Sequence, residues 1–195
     1  MDLSHLLRRM GELTWLDTDA GHLILMPVSV RRQWSGIEPS SAPEATTVRF
    51  RWNQPNDPPS DYDRACGVDD YVGILQVGSH QAIVLGQDPL PAASRVLPDG
   101  ALVVARLYTT EIGLPGRLPS IGGLDWQSVG HVILDGSRLV LFDSTEVGWE
   151  EPLFPSVEIE MAAGRYEVEH TRYGDDDMQL WLVRLRPSGL IVEGT

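Results

Sequence analysis

Short runs of β-forming residues, cut apart by Gly, Pro, Asn and Asp, constrain this chain more than any other feature. They fall at Leu23–Met26, Thr47–Trp52, Tyr71–Val77, Gln81–Leu85, Leu102–Tyr108, Val129–Leu134, Arg138–Phe142, Val157–Met161, Arg165–Tyr173 and Met178–Arg186. Side chains alternate across a strand, so such runs bury one face or both without needing a helical period. About ten short, largely antiparallel strands predict a mostly-β fold, a β-rich α+β with one or two short helices. The one stretch with helical spacing is Leu3–Leu13, where Leu3, Leu6, Leu7 and Met10 share a helix face. Asp2 or Ser4 would cap that helix, and Gly11 weakens its end.

The chain is 195 residues long and 42% apolar, which suits a single compact domain, 1–195, with a sizeable core. Its longest apolar runs are too short to span a bilayer, and Met1–Leu13 lacks the apolar centre of a secretory signal. Cys66 is the only cysteine, so no intrachain disulfide forms. Both features predict a cytoplasmic protein. The net charge is −13, which argues against nucleic acid and anionic membranes as ligands and favours a basic protein partner. The bland alternative is that acidity serves solubility. All 15 basic residues are arginine, which removes lysine Schiff-base chemistry and the P-loop lysine.

Ser35–Ala45 and Asn53–Ser60 read as loops, and the Gly/Pro-rich Gly113–Gly123 as a link between two halves. Two units, each strand, Gly-Ser turn, strand, loop, Gly and strand, suggest similar β-meander halves over 15–112 and 124–187; unrelated meanders would look much the same. At the C-terminal end, alternation places Ile159, Met161, Tyr166 and Val168 on one face. A turn at Ala163-Gly164 would set Glu158 and Glu160 opposite Glu169 and Glu167, with Glu167 beside Arg184 and Trp181, Val183 and Leu185 on the apolar side. Such an acidic face is not there for folding; as it also carries Tyr173, Met178, Leu180 and Leu182, it either packs under another layer at its apolar end or meets a partner.

No arrangement of residues carries recognisable chemistry. Asp61, Asp63, Asp69 and Asp70 lie within ten residues, yet their spacing is not that of an EF-hand, and a solvated turn is the simpler reading. Asp175–Asp177 fits a hairpin turn. His5, His22, His80, His131 and His170 show no metal-ligand spacing, and Cys66 reads as a small apolar residue rather than a nucleophile. No metal, cofactor or catalytic residue is predicted. Trp34 and Trp149, beside glycines and acids, are the tryptophans expected nearest the surface.

Asp61-Tyr-Asp-Arg-Ala-Cys, continuing through Val68-Asp-Asp-Tyr and Gly73-Ile, is the most distinctive block. With Val77-Gly, Ala82-Ile-Val-Leu-Gly, Gly21-His-Leu-Ile-Leu-Met-Pro, Trp34-Ser-Gly and Gly164-Arg-Tyr, it resembles the immunity protein 21 family from about Trp15 to Arg186. The Pro-rich Asn53–Ser60 stretch departs from the pattern. The resemblance implies the antidote half of a bacterial polymorphic toxin system, a protein that binds and blocks a cognate toxin domain. It implies no catalytic residues. Partner-binding candidates are Trp34, Asp61, Tyr62, Asp63, Asp69 and Asp70, with the Glu158–Glu169 face and Tyr173 second. The alternatives are a ligand-binding or enzymatic β-protein with a pocket of Asp61, Asp63 and Asp70, and a structural component.

Overall fold

The run Leu-Val-Val-Ala-Arg-Leu at 102–107 cannot be split by alternation into an inside and an outside, and all six residues are buried. A strand of this kind needs a covering layer on each side. The computed structural model describes residues 7–10, 13–18, 21–38, 60–86, 89–109, 115–136, 138–151, 153–174 and 178–189. Their elements in chain order are β1 (Leu7–Met10), β2 (Leu13–Leu16), β3 (Leu23–Pro27), a 3-10 helix (Val28–Gln33), α1 (Asp61–Cys66), β4 (Val72–Val77) and β5 (His80–Leu85). There follow β6 (Ala92–Val96), β7 (Leu102–Thr109), β8 (Gln127–Leu134), β9 (Arg138–Asp143), β10 (Val157–Glu160), β11 (Gly164–Gly174) and β12 (Met178–Gly189).

The strands form two antiparallel sheets, β1-β2-β6-β7-β12-β11-β8 and β10-β9-β3-β5-β4. The sheets pack face to face on Leu16, Leu102, Val104, Val168, Val183 and Leu185 from the first and Leu23, Leu25, Ile83, Leu85, Leu139 and Leu141 from the second. The outer face of the seven-stranded sheet (Leu13, Trp15, Val103, Leu107, Leu180, Leu182) is covered by Leu118, Ile121, Leu124 and Trp126. The outer face of the five-stranded sheet (Ile24, Met26, Val84, Val140, Phe142) is covered by Val30, Trp34 and Ala65. Arg106, 1% exposed, ties the layers together by donating to the carbonyls of Leu85 (2.6 Å), Gly21 (2.7 Å) and Leu90 (3.2 Å).

The mostly-β, antiparallel expectation holds, and several local expectations do not. The helix expected over Leu3–Leu13 is not formed where it is described: Leu7–Met10 is a strand, and Leu13 opens a second, Leu13–Leu16, the two paired through Arg8↔Trp15 and Arg9↔Thr14. Leu13 and Trp15 alternate onto a sheet face, and that tertiary burial outweighs the helical spacing. Ala92–Val96, read as loop, is β6. Pro115–Trp126, within and beyond the expected link, is a covering layer, with Trp15 Nε1 donating to the Pro115 carbonyl at 2.9 Å. The two units compared as repeats pair differently: β4 and β5 form a hairpin, whereas β8 and β9 lie in different sheets. The Thr47–Trp52 run and Asp175–Asp177 lie outside the described residues.

The C-terminal reading is half corrected. Ile159, Met161, Tyr166, Val168, Val183 and Leu185 do share one core, with Trp181 half-buried. However, β10 does not pair with β11; it pairs with β9, setting Glu158 opposite Val140 and Glu160 opposite Arg138. On β11, Glu167 faces Arg186 and Glu169 faces Arg184. The expected hairpin would have stacked glutamate on glutamate, which destabilises a sheet. Sending β10 to the other sheet gives three of the four glutamates an arginine instead: Glu158–Arg138 at 3.2 Å, Glu169–Arg184 at 2.8 Å, and Glu167–Arg186. These glutamates are therefore part of the folding chemistry, and they do not form one acidic face.

Candidate functional site

Asp61-Tyr-Asp-Arg-Ala-Cys, expected as an irregular segment, is helix α1, and its first residues explain why. Ser60 is the N-cap: its Oγ accepts the Asp63 N–H at 3.1 Å, and Asp63 Oδ2 accepts the Ser60 N–H at 2.8 Å. This reciprocal capping box closes the first turn of a helix too short to be stable alone. Asp61 is 3% exposed. Its Oδ2 accepts the Ser35 N–H at 2.8 Å and its Oδ1 accepts Arg64 Nη1–H at 2.7 Å. Arg64 Nη2–H in turn reaches the Gln76 carbonyl at 2.5 Å, binding α1 to β4.

Trp34, expected near the surface, is wholly buried against Ile24, Phe142 and Ala65, with Nε1–H donating to the Ser144 carbonyl at 2.9 Å. A loop tryptophan flanked by Ser35 and Gly36 has no periodicity to reveal this. Gly36, at φ +57°, lies so close to the carbonyls of Thr145 and Glu146 that no side chain fits there. Tyr62 is half-buried; its N–H donates to the Gly36 carbonyl at 2.9 Å and its ring stands edge-on to His22. Burial, and then a hydrogen bond with Cys66, push its phenol up to about 12. Cys66 does meet a histidine, Sγ lying 3.9 Å from His22 Nδ1, but burial of the sulfur pushes the thiol up. A thiol raised in this way is a poor nucleophile at neutral pH.

The described carboxylates divide by what they already hold. Asp61, Asp63, Glu146, Glu158, Glu167 and Glu169 are bound to protein donors. Among the described residues, Asp69, Asp70, Asp125, Glu150, Glu151 and Glu160 are exposed, and their carboxylates enter no hydrogen bond or ion pair. The four aspartates grouped by the sequence are thus two pairs: Asp61 and Asp63 build the helix, and Asp69 and Asp70 face solvent.

Asp70 and Asp125 both line a cleft of about 440 Å³, together with Tyr71, Gln127, His170, Thr171 and Arg172. At its side, the Tyr71 ring packs on Trp181 at 4.1 Å and the Arg172 guanidinium lies 3.6 Å over the same indole. The register makes this row: Arg172 stands opposite Trp181, which stands opposite Arg106. The cleft joins the five-stranded sheet, through Tyr71 before β4, to β8, β11 and β12 of the other. Asp125, Arg172 and Trp181 were missed because only cross-strand pairing brings them beside Asp70.

A second cleft of about 380 Å³ lies between Gln76, Ser79, His80 and Gln81 on one sheet and Ile133 and Asp135 on the other. Ser79 Oγ is 3.0 Å from His80 Nδ1, and Asp135 Oδ2 is 2.5 Å from Nε2. The Asp135 side chain is 55% exposed, so the trio lacks the water-excluded setting that nucleophilic catalysis uses. It acts as a latch between the two sheets.

None of the curated proteins and none of the solved structures compared with this chain matches it. The family profile described as Immunity protein 21 matches residues 14–178, a span that runs from β2 to the first residue of β12 and takes in α1 and the acidic cleft. On that match the chain belongs to the immunity protein 21 family.

Proposed function

We propose that this protein binds and neutralises a cognate toxin domain with a basic surface, in the cytoplasm and without catalysing a reaction. The observation that carries the reading is the cleft at Asp70: uncommitted carboxylates (Asp70 and Asp125, with the exposed Asp69 next to it in the chain) beside the packed aromatic pair Tyr71–Trp181. Exposed acid steers a basic partner and raises the association rate, while aromatic side chains carry affinity once water is excluded. Family membership supplies the class, and the net charge of −13 suits a cationic partner. Of the residues first singled out, Asp69 and Asp70 are exposed and Tyr62 is half-buried, so on this reading the two aspartates would meet the partner directly and Tyr62 in part. Trp34, Asp61 and Asp63 support the scaffold beneath them. A carboxylate-lined ligand pocket finds no support, because Asp61 and Asp63 are held by α1 and its neighbours while Asp70 lies in the cleft. No helix among the described residues is long and apolar enough to cross a membrane.

The test uses the cognate toxin domain, sought first beside this chain's own gene. Asp69→Arg with Asp70→Arg should slow association about tenfold at low salt and flatten its salt dependence. Stability should change by no more than about 0.5 kcal/mol, as for surface substitutions generally. An unchanged association rate would sink the assignment of this cleft. Failure of the unmodified protein to bind that toxin would sink the function.

A further inference from the structure

Glu146 is a buried carboxylate, and what it holds is a surface loop. It is 6% exposed, close to Asp143, and its two oxygens accept the backbone N–H groups of Leu153 (Oε2, 3.0 Å) and Phe154 (Oε1, 3.1 Å). The loop's near end is equally fixed. The Gly148 N–H donates to the Trp34 carbonyl at 2.9 Å, and Gly148 sits so tightly against the Arg31 carbonyl that a side chain there would collide. Burying a carboxylate is unfavourable unless it is hydrogen-bonded, and here the bonds go to a loop rather than to a strand or helix.

The residue presented by this arrangement is Leu153, 66% exposed, the most exposed of the large apolar side chains described. The others (Val96, Tyr108, Ile133, Tyr173 and Met178) stand on strands, where ladder pairing and alternation leave some side chains outward. No ladder fixes Leu153, and a solitary exposed leucine would need no explanation. The buried acid holding its backbone does. Around it stand the half-buried Trp149 and Phe154 and the exposed, uncommitted Glu150 and Glu151. Apolar anchors set among acids repeat the composition of the Asp70 cleft at a separate place in the chain.

We propose that Trp149, Glu150, Glu151, Leu153 and Phe154 form a second contact surface for the basic toxin domain, with Leu153 as its apolar anchor. This rests on the toxin-binding reading above. It adds that the partner carries an apolar recess rimmed by Arg or Lys. A loop fixed in advance binds without the ordering cost of a mobile one.

The experiment measures equilibrium binding of that same cognate toxin domain to the unmodified protein and to Leu153→Arg, Leu153→Ala and Ile133→Arg. Leu153→Arg should weaken binding at least about tenfold and Leu153→Ala by a smaller factor, with melting temperatures unchanged because the side chain faces solvent. Ile133→Arg, an equally drastic change on β8, should bind as the unmodified protein does. If the unmodified protein binds and both Leu153 variants bind equally well, the loop is not a contact and the toxin-binding reading survives. If Ile133→Arg weakens binding as much as Leu153→Arg, the effect is general charge and the anchor is refuted. If the unmodified protein does not bind, both readings fall. Should Leu153→Arg prove misfolded, Leu153→Ala and the hydrogen exchange of residues 149–151, 153 and 154 in the complex against the free protein decide it; no added slowing on binding overturns the proposal.

Discussion

Asp61 and Ser35 exchange hydrogen bonds in both directions: the Ser35 N–H donates to Asp61 Oδ2 at 2.8 Å, and the Asp61 N–H donates to Ser35 Oγ at 3.1 Å. This clasp docks α1 on the Trp34 segment, which is itself held to the turn after β9 through Trp34 Nε1–H···O Ser144 and the Ile37 N–H···O Thr145 bond. Asp61→Ala should therefore cost about 2–3 kcal/mol, the loss of charge-assisted bonds plus an unsatisfied amide. Urea unfolding measures it. A cost below about 0.5 kcal/mol would return Asp61 to the surface and to candidacy as a contact residue.

The same commitment bears on metal. Asp61 and Asp63 direct their oxygens at Ser35, Arg64 and Ser60, and a cation would have to displace those donors. Chelator should leave the melting temperature unchanged. A fall of several degrees that added Ca²⁺ or Zn²⁺ reverses would show that the aspartates take a cation after all.

Side-chain parity was legible, and neighbour identity was not. Alternation along Val157–Met161 and Arg165–Tyr173 correctly sends Ile159, Met161, Tyr166 and Val168 to one core. Parity fixes the face a residue occupies but is silent on which strand lies beside it, so β10 was given the wrong partner. In the N-terminal segment, Leu7 and Met10 satisfy helical spacing while Leu13 and Trp15 satisfy strand spacing, and only the covering layer decides between them. The strand β6, Ala-Ala-Ser-Arg-Val, is made of small residues that carry little hydrophobic signal. At the candidate site, Asp69 and Asp70 were legible as an acidic surface; Asp125, Arg172 and Trp181 arrive beside them only through the sheet register.

Arg106 offers a direct test of how the layers are joined. Its guanidinium satisfies carbonyls at Leu85, Gly21 and Leu90, three places that no shared ladder connects. Arg106→Met fills the space and leaves those acceptors buried, which should cost about 3–5 kcal/mol. Arg106→Lys retains the charge but not the planar fork, and should recover only part of the loss. If methionine is tolerated within about 1 kcal/mol, the carbonyls find other donors and the arginine is not what joins the sheets.

Glu146 should leave a signature in the pH dependence of stability. Burial raises its pKa first and Asp143 adds to that; the Leu153 and Phe154 amides and Arg31 oppose the shift without cancelling it. The folded protein therefore keeps this proton to a higher pH than the unfolded chain does. Its contribution to stability falls as pH rises from the unfolded glutamate range, about 4.3, through the raised folded value, and is flat above that. Glu146→Gln removes the titration. The stability of the unmodified protein minus that of the variant should decline with rising pH across this window and then level off. A difference that rises or stays flat would mean the carboxylate is not strained by burial, and the loop it holds would lose its special standing.

Glu169 distinguishes a folding role from a binding role for the acids of β11. It is 7% exposed and takes Arg184 at 2.8 Å and Arg186 at 3.2 Å, while Arg184 also lies 4.1 Å over the Trp126 ring. Replacing it by arginine would set three guanidinium groups together beneath the covering segment. Removing one partner of such a buried pair costs about 3–5 kcal/mol, and the added like charge raises that further. Glu169→Arg should therefore lower the unfolding midpoint sharply, and any loss of toxin protection should follow the loss of folded protein. Asp69→Arg with Asp70→Arg should do the reverse, leaving the midpoint in place while association slows. Measuring both variants for stability and for association rate separates the two roles. A stable Glu169→Arg protein that no longer binds would move the interface to the outer face of the seven-stranded sheet.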